Sequence, residues 1–158
     1  MPPRVGLGYD IHRLAAGRRL VLGGVAIEHP RGLLGHSDGD VLMHAVMDAV
    51  LGAALLGDIG SHFPSDDPRF AGAASEELLR HIGSKVREAG YAVASIDATV
   101  VAEAPRLGAH VPAMRQAIAR GLGIAVESVS VKAKTNDGLD AIGAGEAIAA
   151  FAVAVATK

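Results

Sequence analysis

The chain has 158 residues, with 15 Lys and Arg against 17 Asp and Glu for a formal net charge of −2, and half of it is hydrophobic. Only Tyr9, Phe63, Phe70, Tyr91 and Phe151 are aromatic, whereas Ala and Gly number 30 and 20. This composition predicts one folded domain over residues 1–158 with an aliphatic, small-residue core, and it excludes disorder. It also argues against nucleic-acid binding, because there is neither a basic surface nor a set of stacking rings. With no cysteine, disulfides, thiolate metal sites and thiol catalysis are excluded. No stretch is long and apolar enough to span a membrane and no signal core opens the chain, so a cytoplasmic location is expected.

Residues 4–12 alternate and read as a strand; 20–22 and 25–27 flank Gly23-Gly24 and read as a hairpin. Residues 30–39 read as loop. A helix is expected over 39–56, with Ser37 as N-cap, Asp40 three residues on, and an apolar stripe of Leu42, Val46, Ala49, Val50 and Ala53. Residues 57–74, rich in Gly, Pro and Asp, read as loop. Ser75 is expected to cap a second helix with Leu78, Leu79, Ile82 and Val86 on its apolar side, ending at Gly90. Residues 91–104 read as a strand with apolar even positions (Ala94, Ile96, Ala98, Val100, Ala102), and 109–122 as a third helix carrying Met114, Ile118 and Leu122. Strands at 129–134 and 146–157 complete an α/β fold with a mixed sheet. The last strand is apolar on both faces, which suggests that a second layer comes from another subunit.

Seven histidines are unevenly placed. Asp10 and His12, two apart on a strand, share one face and can converge on one ion. His36 and His44 are both candidates for a third ligand, and Asp/His/His with an open position is a donor set for catalytic zinc. Further along, Ser37-Asp38-Gly39-Asp40 opens a helix whose free N–H groups favour an anion. A carboxylate between glycines at Gly57-Asp58-Ile59-Gly60 could grip vicinal hydroxyls, although the same residues serve as a helix stop. Lys132, Lys134, Thr135, Asn136 and Asp137 end a strand with groups suited to a diphosphate and its divalent cation.

Taken together, GYDIHRL at 8–14, GLLGHSDGDVLMHAVMDAVLGAALLGDIG at 32–60, FPSDDPRFAGA from 63, AEAPRLGAHVPAMR at 102–115 and VKAKTNDGL at 131–139 resemble the 2-C-methyl-D-erythritol 2,4-cyclodiphosphate synthase family over nearly the whole chain. The resemblance implies conversion of 4-diphosphocytidyl-2-C-methyl-D-erythritol 2-phosphate to the cyclic diphosphate with release of CMP, in non-mevalonate isoprenoid biosynthesis. It implies Asp10, His12 and His44 as zinc ligands, with His36 and Thr135 as transition-state stabilisers and Ser37 beside the substrate phosphate. Asp58 and Gly60 would hold ribose hydroxyls. Ile59 and the Phe63, Pro64, Ser65, Asp66 and Asp67 loop would line the methylerythritol pocket. Ala102, Pro105, Arg106, Leu107 and Gly108 would wrap cytosine, while Lys134, Asn136 and Asp137 would face the diphosphate with a second divalent ion, Mg2+ or Mn2+. A homotrimer is implied, with helices outside, sheets around the three-fold axis and active sites between subunits.

Three positions depart from the family pattern. Ser65 stands where an Asp is common, and Asp137 replaces a Glu. In the segment where relatives have G-F-x-G-R-G-E, the aromatic and the arginine lining a central cavity are Ala141 and Ala144. The resemblance therefore does not carry over binding of a downstream isoprenoid diphosphate in that cavity. Two other activities fit the same residue types: a zinc-dependent phosphohydrolase, and a non-catalytic cytidine-nucleotide binding module.

Overall fold

A computed structural model describes residues 1–158. The elements in chain order are β1 (Arg4–Ala16), β2 (Leu20–Leu22), β3 (Val25–Ile27), β4 (Arg31–Leu33), α1 (Val41–Ala53), α2 (Ile59–His62), α3 (Ser75–Glu88), β5 (Ala92–Val101), α4 (Val111–Leu122), β6 (Val129–Lys134), α5 (Asp140–Gly143) and β7 (Ala147–Thr157). Five strands form a mixed sheet in the order β4-β1-β7-β5-β6, parallel only between β5 and β6, and β2 and β3 make the expected separate hairpin.

The helices cover one face of this sheet. On β7, Ala150, Ala152, Ala154 and Ala156 are buried towards the helical layer. On β1, Gly6 and Gly8 let the strand pass so close to α1 that a β-carbon at Gly8 would lie 1.8 Å from the Ala45 carbonyl oxygen. Small residues in the sheet thus let α1 approach as backbone against backbone.

Eleven of the 13 residues of α1 are buried, all but Asp48 and Gly52. The helix is therefore not the half-exposed amphipathic one its stripe suggested: the sheet covers one side and α3 lies against the other, with α4 packed in turn on α3. Those two outer helices bury the residues expected of them, Leu78, Leu79, Ile82 and Val86 on α3 and Met114, Ile118 and Leu122 on α4.

The opposite face of the sheet carries no layer. Val5, Leu7, Tyr9 and Ile11 on β1 and Phe151 and Val153 on β7 stand exposed there, Leu7 at 70% and Phe151 at 45%. The register pairs Leu7 with Val153 and Tyr9 with Phe151, whose rings lie 4.9 Å apart, so these side chains form one continuous apolar surface.

Several boundaries differ from the sequence expectations. Residues 30–39 contain β4, three residues that pair with the end of β1. Residues 57–74 contain α2 and a 3-10 turn at Pro68–Phe70. A bulge between Val93 and Ser95 resets the alternation of β5, so Ala94 is exposed while Ile96, Ala98 and Val100 are buried. The N-cap of α1 is Asp40, not Ser37: its side chain accepts from Met43 N at 3.0 Å. Ser75 is the first residue of α3 rather than its cap, and the Asp38 carboxylate accepts from Ser75 N at 2.8 Å from outside the helix.

Candidate active site

Asp10 and His12 sit on one face of β1, as their spacing predicts. His12 Nε2 lies 2.8 Å from Asp10 Oδ2, and His44 Nδ1, brought in by α1, lies 2.9 Å from the same oxygen. One ligand atom from each residue falls within 4.8 Å of the others. His36, the other candidate for third ligand, is not in this cluster; its Nε2 lies 2.8 Å from the Asp67 carbonyl oxygen.

Each imidazole is held from behind. His12 Nδ1 bonds to the Leu34 carbonyl oxygen. His44 Nε2 faces two hydroxyls, Ser37 Oγ at 3.0 Å and Ser75 Oγ at 3.2 Å. Burial alone would raise the Asp10 carboxyl, but hydrogen bonds and charge from His12 and His44 hold it at about 2. The Asp10 hydrogen bond in turn raises the His12 imidazole above its ordinary value, against the effect of burial. One carboxylate and two imidazoles, each imidazole oriented by an outer partner, are a donor set that suits a divalent ion such as zinc. The cluster opens into a cavity of about 560 Å³ and not into the core, which leaves room for a further ligand.

That cavity is lined also by His36, Ser37, Ile59, Gly60, Phe63, Pro64, Ser65 and Asp66, eight of the residues expected at the substrate. Met47, Phe70 and Leu78 complete its apolar wall. Asp67 is not in the lining, because its carboxylate is gripped by Arg69, with Nη2 at 2.6 Å, and accepts from Arg69 N to cap the 3-10 turn. Asp58 caps α2, accepting from Ser61 N at 2.9 Å, while Asp48 on α1 accepts from Ile59 N at 2.8 Å and anchors that short helix to the core.

The expectation that the start of α1 offers free N–H groups to an anion is not met. Asp40 Oδ1 takes Gly23 N and Met43 N, and its other oxygen takes Gly24 N. Burial and the nearby charge of Asp38 push the Asp40 carboxyl up to about 6. The helix end is thus already occupied by a carboxylate.

The other expected substrate residues lie elsewhere on the chain. Ala102, Pro105, Arg106, Leu107, Gly108, Lys134 and Thr135 line a second cavity of about 470 Å³. Asn136 and Asp137 follow in the adjoining turn, where Asp137 N donates to Thr135 Oγ1. Lys132 is not part of it and pairs with Asp97 at 2.7 Å. Both cavities are at the same end of the sheet, since His12 pairs with Ile148, Val101 with Ala149, and Lys134 with Val101. They are nevertheless on different strands: β1 and β6 are three steps apart, roughly 14 Å at about 4.8 Å per step. Within one chain, His36 and Thr135 belong to separate cavities.

Sequence reasoning missed Ser75 and Asp38 as neighbours of the cluster, and it missed Met47, Phe70 and Leu78 as wall. Ser75 carried no signal beyond a helix start, because its approach to His44 depends on how α3 packs on α1.

The model of the YgbB family matches residues 3–157. The chain belongs to the YgbB family. Among curated YgbB relatives, the 2-C-methyl-D-erythritol 2,4-cyclodiphosphate synthase of Bordetella avium is 57% identical over 158 residues, covering 100% of this chain and 98% of the relative. The synthase of Desulfosudis oleivorans is 59% identical over 152 residues, covering 96% and 90%. A solved synthase structure in its CDP-bound form superposes with a TM-score of 0.88 at 38% identity, covering 98% of this chain and 100% of that one. The bifunctional IspDF of Campylobacter jejuni superposes at 0.94 with 41% identity, and this chain spans 42% of that longer protein. The family resemblance read from the motifs is borne out.

Proposed function

We propose that this chain converts 4-diphosphocytidyl-2-C-methyl-D-erythritol 2-phosphate to 2-C-methyl-D-erythritol 2,4-cyclodiphosphate and CMP, as a zinc-dependent phosphorus–oxygen lyase of the cytoplasmic non-mevalonate pathway. The observation that carries it is the Asp10–His12–His44 cluster opening on a cavity lined by His36, Ser37 and the Phe63–Asp66 segment. Relatives named for this reaction, one solved with CDP, support the choice of substrate.

The nucleophile is an oxygen of the substrate's own 2-phosphate. It forms a bond to the phosphorus attached to the erythritol as the bridging oxygen leaves with CMP and the electron pair. No side chain need become a nucleophile and no proton must be removed from the attacking group. The barrier is the approach of two anions, so catalysis rests on charge compensation and on holding the substrate folded back. Asp10, His12 and His44 would hold zinc, which when bound supplies positive charge at the diphosphate. The Asp67 carbonyl can only accept, so His36 Nε2 carries a proton and the ring is fixed in its orientation at the cavity wall. His36 and Thr135 stabilise the transition state, and Ser37 contacts the phosphate. Ile59, Gly60, Phe63, Pro64, Ser65 and Asp66 enclose the methylerythritol, with Asp67 bracing the loop and Asp58 meeting the ribose. Ala102, Pro105, Arg106, Leu107 and Gly108 wrap cytosine. Asp137 offers one carboxylate to Mg2+ or Mn2+, beside Lys134 and Asn136, and one carboxylate plus substrate phosphates is a common way to hold such an ion.

A complete site needs two copies. One chain supplies the metal cluster and the other the 102–108 and 134–137 segments, with the exposed apolar faces of β1 and β7 meeting around a three-fold axis in a homotrimer. The separation of the two cavities and the uncovered apolar face both support this arrangement.

The test is metal analysis of the purified protein coupled to a CMP-release assay, with the product read by phosphorus NMR. Bound zinc, CMP and a cyclic diphosphate are expected. Free inorganic phosphate would instead indicate a hydrolase, and CDP binding without turnover a nucleotide-binding module.

A further inference from the structure

His44 has more behind it than a ligand's neighbour, and the hydroxyl that touches it is itself under control. Ser75 is fully buried, and its Oγ lies 2.5 Å from Asp38 Oδ1 and 3.2 Å from His44 Nε2. Asp38 is positioned in turn: Oδ1 accepts from Asp40 N at 3.0 Å, Oδ2 accepts from Ser75 N at 2.8 Å, and Asp38 N donates to the Ala73 carbonyl at 3.1 Å.

The direction of each bond follows from what each group can do. A carboxylate only accepts, so the single hydroxyl proton of Ser75 goes to Asp38. Towards His44 the Ser75 oxygen then has only lone pairs to offer. It can accept from Nε2–H but cannot donate to a bare Nε2. A ring protonated at Nε2 has its free lone pair at Nδ1, the nitrogen that lies 2.9 Å from Asp10 Oδ2 in the metal cluster. Ser37, the other hydroxyl at Nε2, has no such constraint, because no carboxylate claims its proton.

We propose that Asp38 and Ser75 form a carboxylate–hydroxyl relay that positions His44 as a metal ligand, with Asp38 setting the direction of the Ser75 hydroxyl and Ser75 holding the ring so that Nδ1 is free for the ion. Both are positioning residues, acting through His44, and this assignment rests on the metal reading of the cluster. The relay also explains why a buried serine opens α3, a helix whose N-cap residue, Ala74, offers no side-chain bond. It ties α3 and the 36–40 loop to the metal-holding face of α1.

The test measures zinc affinity by competition with a chelator for the wild type, Ser75→Ala and the isosteric Asp38→Asn. It is joined by the visible spectrum of the cobalt-loaded proteins and by the His44 Nε2–H resonance in the zinc-loaded proteins. In Asp38→Asn the amide can donate to Ser75, which turns the hydroxyl round to face Nε2 as a donor. Each variant is expected to bind zinc about 10–100-fold more weakly, with an altered cobalt band and an Nε2–H resonance that exchanges faster. Thermal unfolding of the metal-free proteins separates loss of the α3 cap from loss of the relay, since only the latter changes the cobalt band. The two variants attack the relay from its two ends, so one suffices if the other does not fold. Wild-type zinc uptake with variants within twofold of it, unchanged in both spectra, would overturn the relay alone. A wild type that binds no zinc would overturn the metal reading and the relay with it.

Discussion

His36 Nε2 lies 2.8 Å from the main-chain carbonyl of Asp67, and the His36 carbonyl accepts from Gly72 N at 2.8 Å. His36, the proposed transition-state stabiliser, is thus clamped at Asp67 and at Gly72, on either side of the Pro68–Phe70 turn. The clamp depends on Asp67, whose side chain caps the Pro68–Phe70 turn and holds Arg69. In Asp67→Ala the carbonyl loses its fixed position while the metal cluster is untouched. Steady-state assays should show a severalfold higher KM with zinc content unchanged. Loss of zinc instead would place Asp67 in the metal site.

Metal should stabilise the fold as well as the reaction. Its three ligands come from β1 and α1, so binding joins sheet to helix in the native state only. At a free zinc concentration a hundred times the Kd, the gain is about 2.7 kcal/mol. Calorimetry should show that shift in the wild type and its absence in His44→Ala.

The approach of β1 to α1 sets the distance between the ligands. Gly8 is two residues before Asp10, and the Ala45 carbonyl it faces is next to His44. Gly8→Ala forces the two elements apart, an overpacking expected to cost about 1–3 kcal/mol or more. Chelator competition should show weakened zinc binding even at temperatures where the variant remains folded, whereas a change at Gly17, whose β-carbon would meet nothing within 4 Å, should leave zinc binding alone.

Asp40 gives a pH dependence with a definite sign. Its folded-state carboxyl is raised to about 6 from 3.8. Between those values the folded state holds a proton that the unfolded state has released, so stability falls as pH rises from about 4 to 6. The shift corresponds to about 3 kcal/mol. Urea unfolding of the wild type and Asp40→Asn should show the stability advantage of the wild type shrinking across that interval. An advantage that grows with pH would mean that the three N–H groups on Asp40 outweigh its burial.

The uncovered sheet face offers a direct test of assembly. Leu7→Asp puts a charge in the centre of the apolar surface, where burial against another copy would be costly. Light scattering should find the variant monomeric, and CMP release should be lost although zinc still binds. A wild type that is itself monomeric at assay concentration would remove the proposed trimer.

What the sequence makes legible here is what local periodicity controls. Asp10 and His12 could be paired by eye because alternate strand residues share a face, and the double apolarity of the last strand marked a face in need of cover. Choosing His44 over His36 was beyond spacing, because it depends on Gly6 and Gly8 admitting α1. The capping-box spacing puts the α1 cap at Ser37 with Asp40 three residues on, whereas the structure puts the cap at Asp40. Gly39, at φ +75, turns the chain between them, and this leaves Asp40 at the helix end and Ser37 facing His44. Asp38 and Ser75 are 37 residues apart, and only the packing of α3 on α1 brings them together.

The placement of the two cavities on strands three steps apart has a genetic consequence. If each working site draws its metal cluster from one chain and Thr135 from the next, the two halves can be damaged independently. His44→Ala and Thr135→Ala would each abolish turnover alone. Refolded together in equal amounts, they should recover about a quarter of wild-type activity, because one interface in four pairs the two intact halves whatever the size of the ring. Two dead alleles would then complement each other in one cell, and a copy carrying either substitution would spoil only the one site that draws the damaged half from it.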